Sequence, residues 1–326
     1  MRVNGIEGVV RRNQHLTMNT SVSMETPSGK AAADENFPVG SWLLPARLRP
    51  HIAIFYAYAR AIDDIADNPA LSPADKIARL ECFADAVTGA GAPDPAFRKA
   101  HAIRRSLAET GVTPRHCVDL TRAFKQDAVK LRYDDWDDLM GYCDLSAAPV
   151  GRYLVDLHGE SPAAYPASDA LCNALQVLNH LQDCGDDYRT LNRVYLPREW
   201  MSSAGADVEA LAHGAAGAPL RRVLDRCLDY TDRLLETADA LPGHLRNLRF
   251  AMEAAVIVAI AWRLGAELRR RDPLAERVVL TKAQYAACCA RGIGRVLFER
   301  ALRRHRAPKP PRSGTRGGED SSDAGG

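Results

Sequence analysis

Two short aspartate clusters constrain this chain more than any other feature. One is Asp63-Asp64-Ile65-Ala66-Asp67 and the other is Asp183-Cys184-Gly185-Asp186-Asp187. Each places carboxylates at i and i+4, which are neighbours on one face of a helix. At about 100° per residue, Gln176, Asn179, Asp183 and Asp187 fall in one narrow arc, with Val177, Leu178 and Leu181 on the other side. Tyr56, Arg60, Asp63, Asp64 and Asp67 share a second such arc, facing away from Ile54, Phe55, Tyr58, Ile62 and Ile65. Either cluster alone also fits an acidic helix face in solvent. A solvated face usually carries Lys and Glu, however. These faces carry Asp, Asn, Gln, Tyr and Arg, which suit a structured polar cavity. Carboxylates four residues apart repel, and Mg²⁺ relieves that repulsion by taking one or two carboxylates together with phosphate oxygens. Two such faces opposed would suit a metal-bound diphosphate.

The bulk numbers fit one large helical domain or two smaller ones. The chain has 326 residues, 46% of them apolar, enough for a sizeable core. A net charge of +2 argues against nucleic acid as a partner. Cys82, Cys117, Cys143, Cys172, Cys184, Cys227, Cys288 and Cys289 form no CxxC pair and mostly sit in apolar helical patterns. That usage predicts reduced core thiols and a cytoplasmic location. No apolar run approaches the roughly 18 residues that a spanning helix needs. No His/Cys group has zinc spacing, and no Ser-His-Asp arrangement is visible. His180 and His158 read as structural hydrogen-bonding residues more readily than as bases.

From about 38 to 305 the pattern is helices and short loops, with no alternating strands. Ser72-Pro73-Ala74-Asp75 predicts a helix start with Ser72 as N-cap. Residues 1–33 and 307–326 read as disordered flanks of a single domain over 34–306.

At the level of whole motifs the chain resembles the squalene/phytoene synthase family, over about Glu35 to Lys282. Phe37-Pro-Val-Gly-Ser-Trp42-Leu-Leu-Pro45 is similar to that family's opening segment. Tyr56-Ala-Tyr-Ala-Arg60-Ala-Ile-Asp63-Asp64-Ile-Ala-Asp67 resembles its first aspartate motif, and Tyr142-Cys143…Val150-Gly151 its central helix. Gln176…Asn179-His-Leu-Gln-Asp183-Cys-Gly-Asp186-Asp187-Tyr188…Arg193-Val-Tyr195-Leu-Pro197 resembles its second motif, and Arg277-Val-Val-Leu-Thr-Lys282 a basic segment near the domain's end. The resemblance implies an all-α isoprenoid-synthase fold with a central cavity between the two aspartate helices. It implies Mg²⁺ held by Asp63, Asp67, Asp183 and Asp187, with Arg60, Asn179, Arg193, Arg277 and Lys282 toward a substrate diphosphate.

Within the family, Asn36–Ser41, Ser146–Arg152 and Asn179-His180-Leu181-Gln182-Asp183 resemble the branch that turns presqualene diphosphate into hydroxysqualene in bacterial hopanoid synthesis. That branch implies no NADPH, a presqualene diphosphate synthase upstream and a hydroxysqualene dehydroxylase downstream. A head-to-head condensing synthase of farnesyl or geranylgeranyl diphosphate, and a non-catalytic assembly factor, stay open beside it. The ionised substrate calls for aromatic walls. Phe37, Tyr56 and Tyr195, with Trp262 beside them, are the candidates, while Trp42, Phe55 and Tyr188 read as core packing. Pro149, among Ser146, Ala147, Ala148 and Gly151, is expected to kink a helix beside the cation and bare carbonyls that hold water. Apolar substrate and product imply peripheral contact with the inner membrane. The Arg269-Arg270-Arg271 and Arg303-Arg304-His305-Arg306 runs are candidates to touch anionic lipid.

Overall fold

A computed structural model describes residues 43–90 and 94–306. The expected disordered flanks, Phe37 and Trp42 lie outside the described residues.

The amphipathic segments fold as helices in chain order. They are α1 (Arg49–Asp67), α2 (Pro73–Thr88), α3 (Arg98–Thr110), α4 (Arg115–Asp127), α5 (Trp136–Ser146) and α6 (Ala148–Leu157), followed by α7 (Tyr165–Leu191), α8 (Arg198–Ala204), α9 (Ala218–Ala238), α10 (Leu241–His244), α11 (Leu248–Arg270) and α12 (Lys282–Arg306). No strand occurs among the described residues; one isolated bridge pairs Arg132 with Val194. Helix α7, 27 residues and about 40 Å long, is the central element. It packs on α5, α6, α9 and α11, while α1 packs on α2, α3 and α4, and α12 lies along α11.

Local chemistry sets the boundaries. Ser72 caps α2 as its sequence predicts, accepting from the Asp75 amide at 3.2 Å. Asn247 caps α11, accepting from the Arg249 and Phe250 amides. Asn192 ends α7 with φ of 53°, the left-handed conformation that Asn tolerates best after Gly. Its amide donates to Tyr188 O at 3.1 Å, and the next amide, of Arg193, donates to Asp187 O at 3.1 Å. This reversal turns Arg193 back toward the helix ends it binds.

The expected kink at Pro149 is a break into two helices instead. Helix α5 ends at Ser146, Ala147 lies between, and Pro149 sits in the first turn of α6. In a continuous helix its ring would crowd the carbonyl four residues earlier and offer it no N–H. At a helix start no donor is needed there.

Helices α11 and α12 approach almost backbone to backbone. A Cβ on Gly292 would stand 2.6 Å from the Val256 amide nitrogen, whereas one on Gly294 meets nothing within 4 Å. Gly292→Ala is therefore expected to cost about 1–3 kcal/mol. Gly294→Ala is expected to be neutral or to stabilise by up to about 1 kcal/mol. Chemical denaturation of the two variants checks this; equal effects would contradict the packing.

Candidate active site

Helices α1 and α7 run in the same direction along one cavity of about 550 Å³. From α1 the lining residues are Ile52, Phe55, Tyr56, Ala59, Arg60, Asp63 and Asp67, in that order along the helix. From α7 they are Ser168, Leu171, Cys172, Leu175, Gln176, Asn179, His180, Asp183 and Asp187. Both walls thus grade from apolar to acidic toward their C-termini. Helix C-termini carry partial negative charge, which disfavours anions. Asp67 ends α1 and stands at that negative end, while Asp63, Asp183 and Asp187 lie a turn or more inside, where like-charge repulsion at i and i+4 sets the cost without cations.

The chain supplies part of that countercharge. Arg60 donates to Asp63 at 2.6 Å and pairs with Asp64 at 3.4 Å. Buried Arg193 donates to Asp67 Oδ1 at 2.6 Å, to Asp127 O at 3.2 Å and to Ala66 O at 3.4 Å. Lys76 donates to Ala66 O at 2.7 Å. Even so, burial and the neighbouring charge of Asp67 hold the Asp63 carboxyl above its ordinary range, despite Arg60. The donor set therefore fits hard cations such as Mg²⁺. Among the described residues no group of three or more His, Cys, Asp or Glu is assembled to hold a metal by itself. Such a set matches Mg²⁺ shared between one or two carboxylates and phosphate oxygens. The other two acids of the clusters do not line the cavity: Asp64 pairs with Arg60, and exposed Asp186 pairs with Arg189.

The middle of the cavity is aromatic. Tyr195 stacks on His180 at 3.6 Å with a 10° interplanar angle, and Tyr142 lies 5.6 Å from Tyr195. Burial, helped by Arg193, lowers the His180 pKa to about 3, so the ring is neutral. The Gln176 amide donates to His180 Nε2 at 3.2 Å. Phe55 packs in the core as expected, stacked on Tyr153 at 3.9 Å, and it also lines the cavity. Phe124 and Phe250 extend the wall.

The structure brings Tyr56, Arg60, Asp63, Asp67, Asn179, Asp183, Asp187, Arg193 and Tyr195 into this one cavity. It does not bring in Arg277 or Lys282, which are exposed. Pro149 is buried behind the lining, whereas Ser146, Val150 and Gly151 of the same junction reach it. Trp262 lies on a separate groove between α11 and α12, and Tyr188 sits 5.9 Å from the Arg132 guanidinium. Sequence reading missed Asp127, Tyr142 and Glu253 as lining groups. Asp127 had a signal: it is an acid on the α4 face that also buries Leu120 and Ala123.

Fold and cavity together are those of the all-α isoprenoid synthases. The family model for squalene/phytoene synthase matches residues 30–284, and the chain belongs to that family. It is 46% identical over 266 residues to a hydroxysqualene synthase of Rhodopseudomonas palustris, covering 82% of this chain and 90% of that one. It is 40% identical over 270 residues to a hydroxysqualene synthase of Sinorhizobium fredii, covering 83% and 90%. Among solved structures, squalene synthase HpnC from Alicyclobacillus acidocaldarius matches with a TM-score of 0.63 and 30% identity, over 71% of this chain and 87% of that one. The protein is thus an enzyme of this family, and its folded unit is the one such enzymes share.

Buried Asp127 accepts from Tyr142 Oη at 2.8 Å, and burial raises its pKa to about 7 although Arg193 and Tyr142 oppose the shift. A carboxyl whose folded pKa is raised supports the fold at low pH, and that support is lost between about pH 4 and 7 as it ionises. Asp127→Asn should therefore gain melting temperature relative to wild type as pH rises from 4 to 8, with little difference below about pH 4. A difference independent of pH would contradict this account.

Proposed function

We propose that this protein converts presqualene diphosphate to hydroxysqualene in a Mg²⁺-dependent reaction that expels diphosphate and captures water. The observation that carries this reading is the pair of acidic helix C-termini facing each other over an aromatic and apolar cavity. The 40–46% identity to relatives named hydroxysqualene synthase supports the same choice of branch.

In this reading the substrate's hydrocarbon lies between α1, α6, α7 and α11, against Leu171, Leu175, Phe250 and Ile257. Its diphosphate lies at the acidic end. Asp63, Asp67, Asp183 and Asp187 would hold Mg²⁺, which supplies Lewis-acid neutralisation of the departing diphosphate. Asn179 and Arg60 orient the diphosphate oxygens. Phe55, Tyr56 and Tyr195 form the aromatic wall beside which positive charge would develop, an available ring face contributing roughly 0.5–2 kcal/mol per contact. Capture of water by the cation forms a C–O bond and releases one proton. The neutral Gln176–His180 pair is a polar group in this wall that can hold a water without adding charge. The reaction uses no NADPH. Its substrate comes from a presqualene diphosphate synthase, and its product goes to a dehydroxylase. No helix among the described residues is long and apolar enough to cross a membrane. In this reading the protein meets the inner membrane peripherally, from the cytoplasm.

Purified protein with Mg²⁺ and presqualene diphosphate should yield hydroxysqualene by mass spectrometry, with or without NADPH. Presqualene diphosphate or squalene formed from farnesyl diphosphate alone would move the enzyme to the condensing branch. Asp63→Ala and Asp183→Ala should each lower turnover a hundredfold or more, about 3 kcal/mol or more. Their melting temperatures should hold or rise as like-charge repulsion is relieved. Full turnover in either variant, or in excess EDTA, would overturn the metal role.

A further inference from the structure

Helix α12 carries an apolar face that nothing in the described structure covers. Its inner face packs on α11 through buried Cys288, Gly292 and Val296. Its outer face presents Leu297, Phe298 and Leu302, exposed by 48%, 66% and 40%. Gly294, Ala301 and His305 are exposed as well. At 100° per residue these six occupy one arc of about 140°. A water-facing helix is not expected to concentrate its largest apolar side chains on the solvent side.

Charge indicates what covers this face. Helix α12 holds seven Lys or Arg residues against one Glu; Arg295 is paired with that Glu299 and with Asp239, and the last turn reads Arg303-Arg304-His305-Arg306. An apolar strip on a basic helix is the pattern of a segment that lies in the plane of an anionic lipid surface. Two copies of so basic a helix would repel each other face to face. Position points the same way. Arg300 donates to Leu245 O and Arg246 O, at 2.8 and 2.9 Å. Those residues join α10, whose Leu241 lines the cavity, to α11, whose Phe250 lines it too. The exposed face is thus fixed to the segment beside the end of the cavity that Leu241 and Phe250 line, away from the four aspartates of α1 and α7.

We propose that the outer face of α12, through Leu297, Phe298 and Leu302, docks the protein on an anionic bilayer. The apolar part of the cavity then lies beside the lipid from which a hydrocarbon-rich ligand partitions. That consequence rests on the proposed function; the docking does not.

Co-sedimentation with vesicles of phosphatidylglycerol and phosphatidylethanolamine, against pure phosphatidylcholine, tests this with the full chain. Wild type should bind the anionic vesicles at least tenfold more strongly, and binding should fall as salt is raised. Leu297→Glu and Phe298→Glu should each weaken that binding tenfold or more, with unchanged circular dichroism. Val129→Glu, at an apolar residue 62% exposed elsewhere, should leave it intact. Three results would each overturn the proposal: no binding to anionic vesicles; binding equal in wild type and Phe298→Glu; or variants that abolish a dimer, or lower the melting temperature, without changing vesicle binding. The last would assign the face to a second copy or to the chain's own terminal residues.

Discussion

A single buried guanidinium sets the geometry of the cavity. Arg193 joins the C-terminal ends of α1 and α4 through the carbonyls of Ala66 and Asp127 and the carboxylate of Asp67. It can do so because Asn192 takes the left-handed turn that ends α7, and because Arg132 holds Asn192 from the other side, through its carbonyl and at 2.7 Å through Oδ1. Three helix C-termini, each partly negative, converge on one fixed positive charge. Without it, Lys76 at Ala66 O and the Tyr142 hydroxyl at Asp127 would be the groups left to offset Asp67, Asp127 and the helix ends. Breaking a buried ion pair from one side leaves a buried charge, which costs several kcal/mol.

The clamp also explains the polarity of the site. Because α1 and α7 are tied at their C-termini and run parallel, their i, i+4 aspartates face the same volume while their N-terminal halves enclose an apolar one. The i, i+4 pairs Asp63–Asp67 and Asp183–Asp187 repel within each helix, and at Asp67 the dipole of α1 adds to that cost. Such an arrangement suits cations together with a ligand that has an anionic head and an apolar body, as the proposed function has it. The aromatic cluster of Tyr142, Tyr195 and His180 lies at the junction of the two regions. All three groups are held uncharged there, the tyrosines by raised pKa values and the histidine by a lowered one.

Much of this was legible from local pattern. The spacing of Asp63, Asp67, Asp183 and Asp187 fixes a shared helix face whatever surrounds it, and Ser72 marks a helix start by its own hydrogen bond. What local pattern does not carry is pairing across the chain. Arg193 reads as a phosphate contact from its motif, yet its partner Asp67 is 126 residues away, and only the fold shows that the guanidinium is engaged. Asp127 and Phe55 look like ordinary members of amphipathic helices, because the cavity that they line exists only once α1, α4 and α7 are packed. Pro149 carries a strong local signal, but a kink and a break satisfy the same missing N–H. The packing of Gly151 against α7, where a Cβ would stand 2.3 Å from Ser168 Oγ, goes with the break. Arg277 and Lys282 show the reverse: a motif resemblance that the described fold leaves at the surface.

In the proposed function the two acidic faces take divalent cations and a diphosphate together, each completing the other's site. Calorimetric titration of inorganic diphosphate into the protein, with and without Mg²⁺, tests this without depending on turnover. Diphosphate should bind at least a hundredfold more tightly with Mg²⁺ present, and should tighten Mg²⁺ binding by the same factor, as linkage requires. Equal diphosphate affinity with and without Mg²⁺ would contradict it.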